Sequence, residues 1–224
     1  MATTRLKSFL HLHEIIEKRY PANKSFIYRG VRDSKYKLIP KVGRIKGYTL
    51  RLEKDILECF KRLGFPFLEY DLENDWEWLA TAQHHGLPTR LLDWTANPLV
   101  AAFFATEGLA KKDRAVYCLN ATYILDEKHW PNPFTIKSVE IFQPQYIAQR
   151  ISAQAGHFTA HPKPSIPFER STLDKLIIPY ELVCDFQVSL YRYGIHRGTL
   201  FPDLDGQAQM IEWLKTGGRR VSRT

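Results

Sequence analysis

The sequence predicts a single domain of the mixed α/β (α+β) class, a small mixed sheet flanked by helices. Three observations lead there. Its 224 residues suit one large domain with a sizeable core. Its composition, 44% hydrophobic, 25% charged and 13% aromatic, is that of a globular protein and excludes a disordered, collagen-like or low-complexity chain. Helical and strand-like periodicities interleave irregularly, with no internal repeat.

The elements follow in order. Ser8 caps a first helix to about Arg19, with Phe9, Leu12, Ile15 and Ile16 on one face, and Pro21 ends it. Ser25–Arg29 reads as a short strand stopped by Gly30, and 31–48 as a long loop, a feature often tied to function. Leu52, Ile56, Leu57, Phe60 and Leu63 recur at helical spacing, so 50–63 is a helix ended by Gly64. A further helix runs from about Asp75 to His85, with Gly86 as its stop. Leu91-Leu92 reads as a short buried link. Asn97-Pro98 opens a helix whose Leu99–Ala105 stretch is nearly all apolar and therefore buried. Ala115–Leu119 and Val139–Phe142 read as strands, with a Pro-containing loop at 129–134 between them. Residues 156–170, with Pro162, Pro164 and Pro167, read as an irregular loop. Leu173–Ile178 is a strand, Glu181–Tyr193 an amphipathic helix and Asp205–Leu214 a last helix capped by Asp203 or Asp205. The expected organisation is an N-terminal helix within 1–24, a main domain over 25–215 and a basic tail over 216–224.

Thirty-two Lys and Arg against 24 Asp and Glu give a net charge of +8. Such a balance either serves solubility or favours polyanions: nucleic acid, nucleotide or a phosphate-bearing ligand. Cys59, Cys118 and Cys184 are odd in number and far apart, so neither a disulfide framework nor metal spacing is present, and buried thiols are expected. No stretch approaches the ~18 apolar residues of a membrane span, and no apolar run follows Met1–Lys7. The expectation is a cytoplasmic protein without membrane partners.

The informative segment is Gln83-His84-His85-Gly86-Leu87-Pro88-Thr89-Arg90-Leu91-Leu92-Asp93-Trp94-Thr95-Ala96-Asn97-Pro98. Titratable groups crowd between two apolar helices and are drawn inward with them, which is costly unless they are paired. An Arg90–Asp93 pair, or Arg90 on an anionic ligand, offsets that cost. His84 and His85 bring two imidazoles, the side chain able to exchange a proton near neutral pH. The amides at the Asn97-Pro98 helix start favour an anion. The plainer reading is a polar network tying helix to sheet. Adjacent histidines do not readily share one ion, so no metal is expected.

This segment resembles the FRG domain family, named for a Phe-Arg-Gly-type motif whose place Tyr28-Arg29-Gly30 fills with Tyr for Phe. Gln83–Ala105 is similar to the family's central signature, Arg150–Thr159 to its third block and Leu200–Gly206 to its C-terminal block, so the resemblance runs over about 25–213. It implies bacterial or phage-associated proteins with toxin or phage-defence roles. The block order is also similar to that of ADP-ribosyltransferase folds, an analogy at fold level. In that analogy Arg29-Gly30 lies on a first strand, Thr95 precedes a helix and Gln154 lies on a late strand. The third block holds no matching Glu, although Glu140 lies nearby, and the catalytic carboxylate is left open.

If NAD is the substrate, Arg29 or Arg90 suits its pyrophosphate and Gly30 lets backbone approach the ligand. Tyr28 or Trp94 supplies a stacking surface. Asp93 or Gln154 faces the developing oxocarbenium, and His84 or His85 is the base on the acceptor. Thr95 and Asn97 complete the binding set. The expected partners are NAD or a related nucleotide, a nucleic-acid or protein acceptor, and a cognate immunity or regulatory protein. The rival classes are a non-catalytic nucleotide or nucleic-acid sensor using Tyr36, Lys37, Lys41, Arg44 and Lys46, and a phosphoester hydrolase using the histidine pair.

Overall fold

A computed structural model describes residues 2–68, 71–108, 110–144 and 154–217. Among these, seven strands form one sheet and seven α-helices surround it. The strands are β1 (Thr3–Arg5), β2 (Phe26–Val31), β3 (Leu91–Thr95), β4 (Arg114–Asn120), β5 (Glu140–Phe142), β6 (Gly156–Ala160) and β7 (Leu173–Ile178). The helices are α1 (Phe9–Arg19), α2 (Leu50–Gly64), α3 (Asp75–His84), α4 (Pro98–Thr106), α5 (Val183–Arg192), α6 (Arg197–Leu200) and α7 (Leu204–Thr216). The strand order is β1-β7-β4-β2-β3-β6-β5. Only β1 and β7 run parallel; every other neighbour is antiparallel. The mixed sheet with flanking helices is the class read from the sequence.

Side-chain caps start the helices, those at Ser8, Asn97 and Asp203 as expected and those at Thr49 and Asn74 in addition. Ser8 Oγ accepts from His11 N, Thr49 Oγ1 from Leu52 N, Asn97 Oδ1 from Leu99 N and Asp203 Oδ1 from Gly206 N. Asn74 does the same for α3, accepting from the amides of Trp76 and Glu77. Gly86 follows α3 at φ 82°, a conformation that favours glycine.

Several expectations are corrected. Gly30 does not stop β2, which runs on to Val31. Leu91-Leu92 is no link but the start of β3, paired along its length with β6. That partner is the first third of the supposed loop 156–170. β1 and α6 are additional. Cys118 is buried, but Cys59 and Cys184 are exposed. Arg150–Ala153 of the third block, and the tail from 218 on, lie outside the described residues.

Three apolar clusters hold the layers. α1, α4 and α5 cover one face of β2, β4 and β7 through Leu12, Ile15, Ala101, Ala105, Phe186 and Leu190. α2 and α3 pack on β3, β5 and β6 through Leu57, Trp76, Leu79, Leu91, Phe142 and Phe158. The opposite face carries Ile27, Ala115, Leu119, Leu92 and Trp94, and the loop residues Leu38 and Phe168 join that cluster.

The α4 contact explains Gly30. A Cβ there would lie 1.9 Å from the carbonyl oxygen of Ala101 and 2.6 Å from the amide of Ala105. The helix therefore sits backbone-on-backbone against the strand, and Gly30 makes room for α4. Gly30→Ala must push α4 off the sheet. Its expected cost is at least the ~1–3 kcal/mol of overpacking, read as a lower urea midpoint with an unchanged slope.

Candidate functional site

One residue pair, Tyr28 with Thr95, joins β2 to β3, whereas six pairs join β2 to β4 and five join β3 to β6. Beyond Tyr28 the two strands part. The Arg29 guanidinium takes up the strand edge this leaves, its Nη1 donating to the Asp93 carbonyl, with the Asp93 carboxylate 3.4 Å away. Alternation and register put Tyr28, Asp93, Thr95 and Phe158 on one face, beneath α3 and α4. The cleft there encloses about 330 Å³.

Arg29 is mostly buried, with its side chain 18% exposed. Loss of water lowers its pKa, Asp93 opposes that, and the positive charge of Arg44 adds to the lowering. Its Nε is buried without a partner among the described residues. Asp93 is 59% exposed and is held from two sides. Besides Arg29, Gln83 Nε2 donates to both carboxylate oxygens at 3.0 Å. Thr89 Oγ1 donates to Gln83 Oε1 at 2.6 Å, which fixes the orientation of that amide. Asp93 is the one carboxylate lining the cleft among the described residues.

Of the other expected residues, Tyr28, Gly30, His84, Trp94, Thr95 and Gln154 line the cleft. Tyr28 is buried in its floor, where loss of water pushes its phenol pKa up. Thr95 Oγ1 donates to the Gln154 carbonyl at 2.6 Å, and Gln154 Nε2 donates to the Leu200 carbonyl at 3.0 Å. These bonds close one corner of the cleft. The Trp94 ring is 3% exposed, with Nε1 on Thr159 Oγ1 at 2.9 Å. Its side chain belongs to the core rather than to an open stacking wall. His85, Asn97 and Arg90 do not line the cleft. His85 is exposed, and Asn97 is spent on capping α4. Glu140 lies on the edge strand β5, away from the cleft.

Arg90 does not pair with Asp93. It is fully buried, with Nε and Nη2 on the two carboxylate oxygens of Glu53 at 2.9 and 2.7 Å, Nη1 on the Pro133 carbonyl, and the Phe134 ring at 4.6 Å. Tyr48 OH also donates to Glu53 at 2.7 Å. The pair ties the start of α2 to the start of β3.

Gln83, which heads the central segment expected to converge on a polar pocket with Arg29 and Gln154, lines the cleft. Sequence reasoning assigned no role to Arg32, Phe104, His157 and Phe201, all of which also line it. The signal for His157 lay in the Gly156-His157-Phe158-Thr159 stretch. Its Nδ1 lies 3.1 Å from the Ala155 carbonyl, so Nδ1 carries the proton in the neutral ring and Nε2 is the basic nitrogen. Among the described residues, no group of three or more His, Cys, Asp or Glu is placed to hold a metal ion. No helix among them is long and apolar enough to cross a membrane.

Residues 24–114 match the family model of the FRG domain. The match supports the family resemblance over those residues; the Arg150–Thr159 and Leu200–Gly206 blocks lie outside it. No curated protein and no solved structure matches the chain. The FRG-matching segment supplies β2, α3, β3 and α4, hence Arg29, Gln83, His84, Asp93 and Phe104. Gln154–Phe158 and Phe201 come from outside it.

The buried groups make two effects on stability measurable. Glu53→Gln leaves Arg90 buried without its counter-charge and is expected to cost about 3–5 kcal/mol in urea unfolding. His161 is 2% exposed and accepts at Nε2 from Thr159 Oγ1 at 2.9 Å. Burial, with Arg29, Arg170 and Arg90 adding, lowers its pKa to about 3. In the unfolded chain it titrates near 6.5, so the unfolded state binds the extra proton between those values. Its contribution is fully present above pH 6.5 and declines as pH falls toward 3, by at most about 1.4 kcal/mol per unit. His161→Gln is expected to flatten the fall in urea stability between pH 6.5 and 4.5; an unchanged slope refutes the assignment.

Proposed function

We propose that the cleft binds NAD and transfers its ADP-ribose to an acceptor, making the chain an NAD-consuming, ADP-ribosyltransferase-like enzyme. The observation that carries this reading is the meeting in one cleft of Arg29, with its unpartnered buried Nε, and Asp93, a carboxylate open to solvent yet held by two side chains. A cation and a carboxylate side by side suit a substrate with an anionic bridge next to a centre that turns positive during reaction. Arg29 and Arg32 give the pyrophosphate its cationic edge. Phe104 and Phe201 give the nicotinamide an apolar wall. At about 330 Å³ the cleft sits at the low end of ligand sites, which suits one nucleotide half of the dinucleotide.

In the step itself the bond between ribose C1′ and the nicotinamide nitrogen breaks. The bonding pair leaves with neutral nicotinamide. Asp93 stabilises the positive charge this creates at C1′, and Gln83 and Arg29 keep its carboxylate in place. The acceptor's lone pair forms the new bond to C1′, and its proton passes to His84 or His157. The match over residues 24–114 supports the family but says nothing of this chemistry.

The test is nicotinamide release from NAD, followed by chromatography, with thermal melts showing that each variant is folded. Wild type is expected to release nicotinamide, and Arg29→Ala and Asp93→Asn to slow it by roughly 100-fold or more, the loss typical of an electrostatic group acting in the transition state. Saturable NAD binding without release makes the cleft a nucleotide sensor and ends the transferase reading. Folded protein that neither binds nor releases ends both.

A further inference from the structure

The loop between β2 and α2 carries a second feature. From Ser34 to Thr49 the chain holds Lys35, Lys37, Lys41, Arg44 and Lys46 and no Asp or Glu. All five cations are exposed, and Tyr36, 54% exposed, stands among them. An ordinary solvated loop carries such charges on a loose backbone. This backbone is pinned. Leu38 and Val42 are buried, the Val42 amide donates to the Thr89 carbonyl at 3.3 Å, and Phe168 N donates to the Leu38 carbonyl at 2.8 Å. A Cβ on Gly43 would lie 2.0 Å from the Pro164 carbonyl oxygen, so this stretch sits against the 161–168 loop without a gap. Charges held at fixed places are partly pre-ordered for a partner.

The loop also has a direction. At one end Lys175 Nζ donates to the Ser34 carbonyl at 2.5 Å, and Lys112 Nζ lies 5.9 Å from the Tyr36 ring centre. The nearby acid, Asp33, is already paired with Lys112 at 2.6 Å. In the middle of the loop Lys41 Nζ donates to the Gly86 carbonyl at 2.5 Å, two residues beyond the cleft residue His84. Arg44 there gives both Nε and Nη2 to the Ile39 carbonyl, which fixes its guanidinium plane, and its charge is felt at Arg29. The cationic loop thus carries an exposed aromatic ring near its start, and its middle lies beside the segment that leaves the cleft at His84.

We propose that this loop is a docking strip for single-stranded nucleic acid, laid so that a bound strand reaches the cleft. Several cations held close together on a loop of turns, with one helical turn at Val42–Arg44, offer a phosphate chain multiple contacts, and an exposed tyrosine among them offers a base a stacking face. A single strand fits better than a duplex, because a base reaches an enclosed cleft only when it is out of its stack. An acidic polypeptide would use the charges but not the ring. Making the strand the acceptor in the cleft rests on the transferase reading; the docking itself does not.

The test uses the full chain without NAD, so it stands or falls apart from nicotinamide release. Fluorescence anisotropy follows binding of a labelled mixed-sequence single-stranded RNA, a single-stranded DNA, a duplex and polyglutamate at several salt concentrations. Single strands are expected to bind most tightly. Replacing Lys37, Lys41 and Lys46 together by Ala is expected to weaken them at least ~10-fold at low salt. The same change should reduce the log–log salt slope by about 2, at ~0.7 for each phosphate no longer neutralised. Tyr36→Ala weakens single strands while leaving polyglutamate unaffected. The strip is refuted if the folded triple variant binds as wild type does, if duplex or polyglutamate binds as tightly as single strands, or if nothing binds at low salt.

Discussion

A single backbone residue pair, Tyr28 with Thr95, carries the sheet across its middle. On one side β1, β7, β4 and β2 form a continuous ladder; on the other β3, β6 and β5 form a second. Two ladders meeting at one point leave unpaired strand edge beyond it, and an unpaired buried carbonyl costs free energy. The Arg29 side chain supplies the missing donor to the Asp93 carbonyl. The cation at the centre of the cleft is therefore there for a structural reason first. What makes it available for chemistry as well is the surplus of donors on a guanidinium, which has five N–H groups in a rigid fork.

Arg29, which lines the cleft, and Arg90, which does not, show how differently one residue type is used. Arg90 is sealed in, with Glu53 taking two of its nitrogens and a backbone carbonyl a third. A buried charge satisfied this fully has no capacity left for a ligand, and its removal would damage the fold. Among the described residues Arg29 is held at Nη1, by a partner that itself faces solvent. The same contrast separates the carboxylates. Glu53 is 1% exposed and spent; Asp93 is 59% exposed and merely steered. Burial and hydrogen-bond capacity, rather than position in the motif, divide the polar groups into a part that builds and a part that can react.

Much of the fold was legible because its signals are local. Ser8, Asn97 and Asp203 cap the helices they precede, and the all-apolar run after Pro98 is the buried helix that its hydrophobicity demands. β3 and β6 were not legible. Leu91–Thr95 is five residues between two helices and buried on both faces except at Asp93, so it shows no apolar–polar alternation, and Gly156–Ala160 runs straight into a proline-rich loop. Missing them hid the ladder that forms half the cleft. The candidate site was legible as a crowd of polar groups, but not in its pairings. Arg90 lies three residues from Asp93, yet its partner is Glu53, 37 residues away, and the partner of Asp93 is Arg29, 64 residues away. Sequence proximity cannot rank such pairs; the strand parting that decides them is a tertiary fact.

The cleft is closed at one end and open at the other, and the closed end is the better defended. There Thr95 Oγ1 donates to the Gln154 carbonyl, the Ala96 amide donates to the Ala155 carbonyl, and Tyr28 pairs with Thr95. Ala155 accepts this geometry at φ 47°, a left-handed conformation that costs a non-glycine residue about 1 kcal/mol or more. Such strain persists only where surrounding contacts over-determine it. α4, seated on Gly30, holds β2 against the same corner. The FRG-matching segment thus brings one wall, with the cation and the carboxylate, and the chain beyond it brings Gln154, Ala155 and His157 to close the corner and furnish an imidazole. A chain cut after the matched segment would keep Arg29 and Asp93 but lose β6, the ladder that holds β3 in place. The cleft's cation–carboxylate pair and the support that positions it therefore belong to different stretches of sequence, and the cleft is complete only where both are folded together.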